Sequence, residues 1–149
     1  MHLADYLSTD QIITGLTART KTEVLKELLQ PLVQKYTFLD PQETLEVLIN
    51  RENLGTTGIG EGVAIPHGKI HALEEIILTV GLSPQGVDFA ALDHKPVHIF
   101  FMVLAPEKSA GKHLKILASI SRLLQDPDFK ESFLNSQSRD ELWHLLTKV

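Results

Sequence analysis

The chain lacks cysteine, carries one tryptophan, and has few aromatic residues, which make up 6% of its 149 positions. Without cysteine, disulfides and thiol-based redox or metal chemistry are excluded. Positive charge is also scarce, since the formal net charge is −5 with histidine neutral, and this argues against a nucleic-acid-binding protein. No hydrophobic run approaches the length of a membrane span, and no export signal is visible at the N-terminus. We therefore expect a cytoplasmic protein that does not insert into a membrane.

The remaining composition is typical of a folded globular protein, with 43% hydrophobic and 22% charged residues. The length predicts one domain over positions 1–149. Leucines and valines at helical spacing follow Thr20, and Asp40-Pro41 marks the start of a second helix. The apolar run 97–104 predicts a central buried strand. Helices interleaved with three or four strands indicate the α/β class.

Prolines and polar caps give further local predictions. Pro31 should kink or shorten the first helix, because it removes a backbone donor. The segment 83–86, Ser-Pro-Gln-Gly, predicts a turn after a strand. Asp126-Pro127 and Ser138 are typical N-terminal caps, so we expect two further helices near the end of the chain.

The stretch 55–68 combines four closely spaced glycines with the run Val-Ala-Ile-Pro-His-Gly. The apolar residues 63–65 predict a short buried strand that Pro66 ends, so that His67 emerges at the strand end. Glycines allow tight turns and close approach, and the N–H groups of such a loop can form an anion-binding concavity. An ordinary glycine turn followed by a structural histidine is the alternative. The candidate phosphoryl-binding residues of this loop are Thr56, Thr57, Gly58, Gly60 and Gly68.

Other chemistries fit this stretch poorly. Neither Gly-Lys pair of the chain is followed by Ser or Thr, as a Walker A motif requires. A dinucleotide fingerprint fails because Val63 occupies its third glycine position. His67 and His71 have the spacing of a zinc pair, but only on a helix, which the flanking proline and glycine exclude. We expect no metal and no other cofactor.

His67 remains as a candidate nucleophile, because neutral imidazole is available near physiological pH. A phosphoryl group on the ring would need charge stabilisation. Arg51, at the end of the second helix, and His113, in the first turn of a later helix, are candidates for this role. The alternatives are a solvated helix-end charge for Arg51 and a polar first-turn residue without a contact for His113.

With these residues in hand, the chain resembles the fructose/mannitol-type enzyme IIA domains of the bacterial phosphoenolpyruvate-dependent phosphotransferase system. Their signature places an acidic or amide residue, an aliphatic, a small residue and the motif aliphatic-Ala-aliphatic-Pro-His-small at fixed spacing. The chain matches it at every position, with Glu52, Ile59, Gly60, Val63, Ala64, Ile65, Pro66, His67 and Gly68.

This resemblance implies a phosphotransferase in which Nε2 of His67 accepts a phosphoryl group. The donor would be a phosphohistidine on the small carrier HPr or on its nitrogen-system paralogue. The group would then pass to a cysteine of a IIB domain, or be held as a signal for regulatory target proteins. The counterparts of His113 and Arg51 lie beside the phosphoryl group in the family. The implied fold is a three-layer α/β/α sandwich around a mixed sheet of about five strands.

The branch of the family is a separate prediction. The segment 56–60 and the Pro-His-Gly-Lys sequence suit both nitrogen-regulatory proteins and fructose-type IIA domains. The chain ends at Val149 without a IIB or IIC portion, and from this we expect the regulatory type. A sugar-specific IIA is the alternative. A phosphate-independent interaction module is a further one, which the presence of both His67 and His113 disfavours.

Overall fold

The centre of the molecule is a mixed β-sheet. In the computed structural model, residues 2–149 are described, and this part of the chain contains six strands and five α-helices. The strands are β1 (Ile12–Ile13), β2 (Gly58–Gly60), β3 (Val63–Ala64), β4 (His67–Ile70), β5 (Ile77–Val87) and β6 (Val97–Pro106). The helices are α1 (Lys21–Lys35), α2 (Pro41–Asn53), α3 (Ala110–Leu123), α4 (Pro127–Leu134) and α5 (Arg139–Thr147). Two short 3-10 turns, Leu3–Tyr6 and Thr9–Gln11, precede β1.

Strand β6 is the organising strand of the sheet, whose order is β1-β5-β6-β3-β2. It pairs antiparallel with β5 on one side and parallel with β3 and then β4 on the other. Residues 99–105 of β6 are fully or almost fully buried, as the prediction of a central strand required. Its β-branched and aromatic side chains suit a strand that is covered on both faces.

Alternate residues of β6 enter two separate cores. Phe100 and Met102 pack in the core beneath α1 and α2, whereas Phe101 and Val103 pack in the core beneath α3, α4 and α5. This alternation follows from the two-residue period of a strand. The predicted three-layer α/β/α sandwich is confirmed, with six strands rather than about five. The residue patterns indicated only three or four strands, and the short glycine-containing strands β2 and β4 were missed because neither has an apolar pattern.

The helix starts agree with their predicted caps. The Asp40 carboxylate accepts a hydrogen bond from Glu43 N at 2.9 Å, and Asp126 and Ser138 cap α4 and α5 in the same way. Pro31, however, lies inside α1, which continues to Lys35, so the predicted shortening is wrong. The predicted turn at 83–86 is also wrong, because these residues belong to β5 at a register shift that accommodates the proline.

Candidate functional site

Proline and sheet pairing place His67 at the edge of the core. Pro66 lies between β3 and β4, and its carbonyl accepts a hydrogen bond from Val103 N at 2.9 Å. His67 then opens β4, opposite Val103 of β6, with its side chain half-buried. His67 therefore follows the end of β3, as expected, but it also begins a new strand. Pro66 follows β3, and pairing with β6 resumes at His67, because β6 continues beyond the residues that pair with β3.

Hydrogen bonds define which ring nitrogen of His67 carries the proton and which carries the lone pair. Its Nδ1 lies 2.8 Å from the carbonyl oxygen of Ile65, so Nδ1 carries the proton and donates it. Arg51 Nε lies 3.3 Å from Nε2 and donates to it, which requires a lone pair there. Both contacts select the same neutral tautomer. The arrangement therefore presents Nε2 as the nucleophilic atom of the site.

The protonation of His67 follows from its surroundings. Burial lowers the pKa of the imidazole below its ordinary value, and the positive charge of Arg51 acts in the same direction. The hydrogen bond to Ile65 and the negative charge of Glu52 oppose this shift without cancelling it. The neutral, nucleophilic form is thus favoured at physiological pH.

Arg51 reaches the site from the last turn of α2. Its Nη1 donates to the carbonyl oxygen of Gly55 at 2.8 Å, while its Nε faces His67. A purely solvated charge at the helix end was the alternative for Arg51. Its guanidinium is instead held by two hydrogen bonds, one from Nε and one from Nη1. The guanidinium therefore holds its positive charge beside Nε2.

His113 faces His67 from the first turn of α3. The two ring centroids are 5.5 Å apart and the ring planes are inclined by 57°. His113 is 5% exposed, and its Nδ1 is buried without a hydrogen-bond partner among residues 2–149. Burial, followed by the charges of His67 and Lys69, lowers the pKa of His113. The structure thus brings together all three side chains that the sequence placed at one site.

The glycine loop has a different arrangement from the expected anion cradle. Thr57 N donates to the Glu52 carboxylate at 3.0 Å, and Gly58 N donates to Thr56 Oγ1 at 3.1 Å. These two amides already have partners, one in α2 and one in the loop, so the geometry does not support them as phosphoryl ligands. Gly60 adopts a φ of +102° beside Asp93, which is a backbone conformation that other residues rarely adopt.

Gly68 serves close packing between α2 and β4. A Cβ atom at this position would lie 2.8 Å from Cγ1 of Val47, which is too close for two carbon atoms. Val47 precedes Arg51 by one helical turn, so both lie on the same side of α2. The absence of a side chain at position 68 therefore lets α2 bring Arg51 within reach of His67.

Glu52 is a residue of the site that reasoning from residue types did not single out. Its carboxylate is buried, accepts hydrogen bonds from the amide and the hydroxyl of Thr57, and forms an ion pair with Lys21 at 3.2 Å. The sequence did mark Glu52 as the first position of the family signature, but the signature alone gave this residue no physical role. The buried contacts supply that role, because a buried carboxylate requires such partners.

The three side chains line an open cleft of about 600 Å³. Leu54 and Leu114 stand at its rim with 85% and 65% of their surface exposed. Large apolar side chains that remain exposed beside a polar centre are typical of a surface that meets another macromolecule. The cleft is open, so Nε2 can be approached by a group carried on a partner protein.

The described part of the chain offers neither a metal-binding cluster nor a membrane-spanning helix. Residues 2–149 contain no group of three or more histidine, aspartate or glutamate side chains arranged to hold a metal ion. His71 is highly exposed and pairs with Glu107 at 3.1 Å, away from His67. No helix within the same residues has the length and apolar character needed to cross a bilayer.

Comparison with known proteins adds the family. The nitrogen regulatory protein of Bradyrhizobium diazoefficiens is 36% identical over 146 residues, which cover 98% of this chain and 95% of that protein. The crystal structure of nitrogen regulatory protein IIA-Ntr from Neisseria meningitidis matches with a TM-score of 0.90 at 29% identity, over 97% of this chain and 99% of that one. A chain in the Escherichia coli complex of the mannitol enzyme IIA with phosphorylated enzyme IIB matches with a TM-score of 0.79 at 25% identity. This match covers 96% of this chain and 98% of that one. The family model for the phosphoenolpyruvate-dependent sugar phosphotransferase system, EIIA 2, matches residues 5–149, and the chain belongs to this family.

Proposed function

We propose that this chain is a phosphoryl carrier in which Nε2 of His67 accepts the phosphoryl group. The observation that carries the proposal is the pair of hydrogen bonds that leaves the lone pair on Nε2. The group arrives on a protein, because the cleft is open and has an apolar rim. We further propose that positions 1–149 form one domain of the EIIA 2 family.

The transfer is a displacement at phosphorus. The lone pair of Nε2 forms the new nitrogen–phosphorus bond, while the bond from phosphorus to the donor imidazole breaks and its electron pair returns to the donor nitrogen. The proton on Nδ1 stays in its hydrogen bond with the Ile65 carbonyl. That carbonyl also stabilises the positive charge that develops on the ring as Nε2 is phosphorylated.

Arg51 and His113 stabilise the incoming charge. When phosphorus occupies the position in front of Nε2, Arg51 exchanges its hydrogen bond with the ring for one with a phosphoryl oxygen. The ring of His113 lies 5.5 Å from the ring of His67, centroid to centroid, at the N-terminal turn of α3, where negative charge is favoured. We assign both residues to phosphoryl binding, and we assign the loop residues 56–58 to support of Arg51.

The proposed donor is HPr or its nitrogen-type paralogue. The support is membership of the family together with the apolar rim formed by Leu54 and Leu114, which suits a small protein with an exposed phosphohistidine. We place the reaction in the cytoplasm, because a carrier charged from phosphoenolpyruvate must act in the compartment that holds this metabolite. No metal or nucleotide takes part in the proposed step.

We favour a regulatory role for the phosphorylated chain. The structural match to IIA-Ntr, with a TM-score of 0.90, is better than the match to the mannitol enzyme IIA, with 0.79. The alternative is a sugar-specific IIA that passes the group to a IIB cysteine, as the mannitol complex suggests for its own members. Measuring uptake from the two carriers, and transfer onward to a IIB domain, separates these branches. A phosphate-independent module is disfavoured by the assembled His67 site.

The test is phosphoryl uptake from ³²P-labelled phospho-HPr and from the labelled nitrogen-type carrier. We expect a label on the chain that is labile in acid and stable in base, as a phosphorylated imidazole requires. His67→Ala should abolish the label, and the matched control His71→Ala, which changes an exposed histidine four residues away, should retain it. A label that persists in His67→Ala, or no uptake by the native chain from either carrier, would refute the proposed function.

A further inference from the structure

A polar cluster around a buried carboxylate joins α1, the end of α2 and the loop that follows it. It consists of Lys21 of α1, Glu52 of α2, and Thr56 and Thr57 of the following loop. The Glu52 side chain is 3% exposed, and its two oxygens accept from the amide and the hydroxyl of Thr57. Lys21 Nζ pairs with Glu52 at 3.2 Å and donates to Thr56 Oγ1 at 3.3 Å. A charge this deeply buried is costly unless its partners are held in place.

The cluster is connected to the nucleophile through a short series of contacts. Thr56 and Thr57 anchor the loop segment that follows α2, and this segment presents the carbonyl of Gly55. That carbonyl accepts from Nη1 of Arg51 at 2.8 Å, and Nε of the same guanidinium meets His67 Nε2. Gly55 is exposed, and its own amide donates to the backbone carbonyl of Glu52 at 3.1 Å, so its carbonyl is fixed jointly by the end of α2 and by the loop that Thr56 and Thr57 anchor.

We propose that Glu52 is a positioning residue for phosphoryl transfer, which acts through the loop and Gly55 on the guanidinium of Arg51. Lys21 belongs to the same device, because it neutralises the carboxylate and ties it to α1. The inference rests on the proposed function of His67 but concerns residues that do not touch the phosphoryl group. It gives the first position of the family signature a physical role.

If Glu52 had a merely structural role, its removal would lower the stability of the fold without acting specifically through Arg51. The two cases differ in a double-mutant cycle. If Glu52 acts through Arg51, its removal lowers the rate of uptake in the native background and has little further effect once Arg51 is alanine. If Glu52 only stabilises the fold, the two substitutions reduce the rate by independent factors.

The experiment compares initial rates of uptake for Glu52→Ala, Glu52→Gln, Arg51→Ala and the double variant Arg51→Ala/Glu52→Ala. We expect Glu52→Ala to lose about tenfold or more in rate, since small misplacements of catalytic groups have effects of this size. Glu52→Gln keeps an acceptor for Thr57 and should recover most of the rate. In the Arg51→Ala background the additional loss should be less than about twofold. Equal losses in both backgrounds, or an unchanged rate in Glu52→Ala, overturn the proposal.

A second measurement does not depend on uptake and covers the case in which Glu52→Ala folds poorly. The Nε–H signal of Arg51 in the nitrogen–proton spectrum should be visible in the native chain, broadened in Thr57→Val, and retained in Thr57→Ser. An unchanged signal in Thr57→Val refutes the positioning role. Failure of the native chain to take up phosphoryl refutes the proposed function instead, and the spectrum still decides on Glu52.

Lysine substitutions provide a matched control. Lys21→Met removes the ion pair with Glu52, and Lys35→Met removes an ion pair of the same helix with Asp10 at 3.3 Å, far along α1. We expect Lys21→Met to reduce the rate severalfold and Lys35→Met to leave it unchanged. Equal rates for the two variants contradict the proposed device.

Discussion

Gly68→Ala tests how closely α2 must approach β4 for the site to form. The added Cβ would lie 2.8 Å from Cγ1 of Val47, whereas carbon atoms in contact prefer about 3.5–4.0 Å, so a displacement of about 0.7 Å or more is needed. Val47 has one strongly preferred rotamer in a helix. The strain is therefore relieved mainly by movement of α2, which carries Arg51 one turn further along.

The expected cost has two parts. Overpacking of this kind destabilises a core by about 1–3 kcal/mol, and for a chain of this size each kcal/mol lowers the melting temperature by about 2–4 °C. The same movement lengthens the contact between Arg51 Nε and His67 Nε2, now 3.3 Å, and we expect uptake to slow by about tenfold. Thermal unfolding followed by circular dichroism and initial rates of ³²P uptake measure the two effects.

Two further variants make the test specific. Val47→Ala in the Gly68→Ala background removes the atom that the new Cβ would meet, and it should recover most of the uptake rate. Gly15→Ala is the control, because a Cβ there meets nothing within 4 Å. If Gly68→Ala behaves like Gly15→Ala, or if Val47→Ala restores nothing, the close-approach explanation for this glycine is wrong.

Two further predictions concern acidification and the N-terminal cap of α2. Since the pKa values of His67 and His113 are lowered by burial, the unfolded chain binds more protons than the folded chain below the ordinary histidine pKa of about 6.5. The free energy of unfolding should therefore fall as the pH drops through and below this value, and phosphoryl uptake should persist to a lower pH than for an ordinary histidine. Denaturant titrations and uptake rates between about pH 5 and 8 measure the two effects. Denaturant titrations that show stability rising on acidification would contradict this expectation. Asp40→Ala removes the N-cap bond to Glu43 and should cost about 1 kcal/mol, seen as a lower melting temperature, with the uptake rate unchanged because the cap lies at the opposite end of α2 from Arg51. A slower uptake by Asp40→Ala below its melting transition would show that the start of α2 also controls the site.

Much of the fold could be predicted because local signals and tertiary structure agree. The run 97–104 is apolar at every position except His98, and only a strand covered on both faces accommodates it. The caps at Asp40, Asp126 and Ser138 were correct because their hydrogen bonds are made within one helical turn. The errors arose where tertiary contacts outweigh local preference, as at Pro31 inside α1 and at the proline and glycine of β5.

The site shows the same division. The convergence of His67, Arg51 and His113 was predictable, because each lies at a recognisable end of an element or in its first turn. The roles of Glu52 and Gly68 were not, since each depends on a partner from another element that no local pattern announces. Lys21 is 31 residues before Glu52 in the sequence, and Val47 is 21 residues before Gly68. Only the packed structure shows that these pairs meet.

The length of the Arg51–His67 contact indicates how one side chain serves both states of the site. At 3.3 Å this N–H···N contact is longer than N–H···O hydrogen bonds in proteins, which span about 2.7–3.2 Å. Such a bond orients Nε2 without holding its lone pair strongly, so an arriving phosphorus atom can displace it at small cost. In the proposed transfer the guanidinium keeps its second bond, to the carbonyl of Gly55. The positive charge therefore stays beside the reacting nitrogen, and only one of its hydrogen bonds has to change partner.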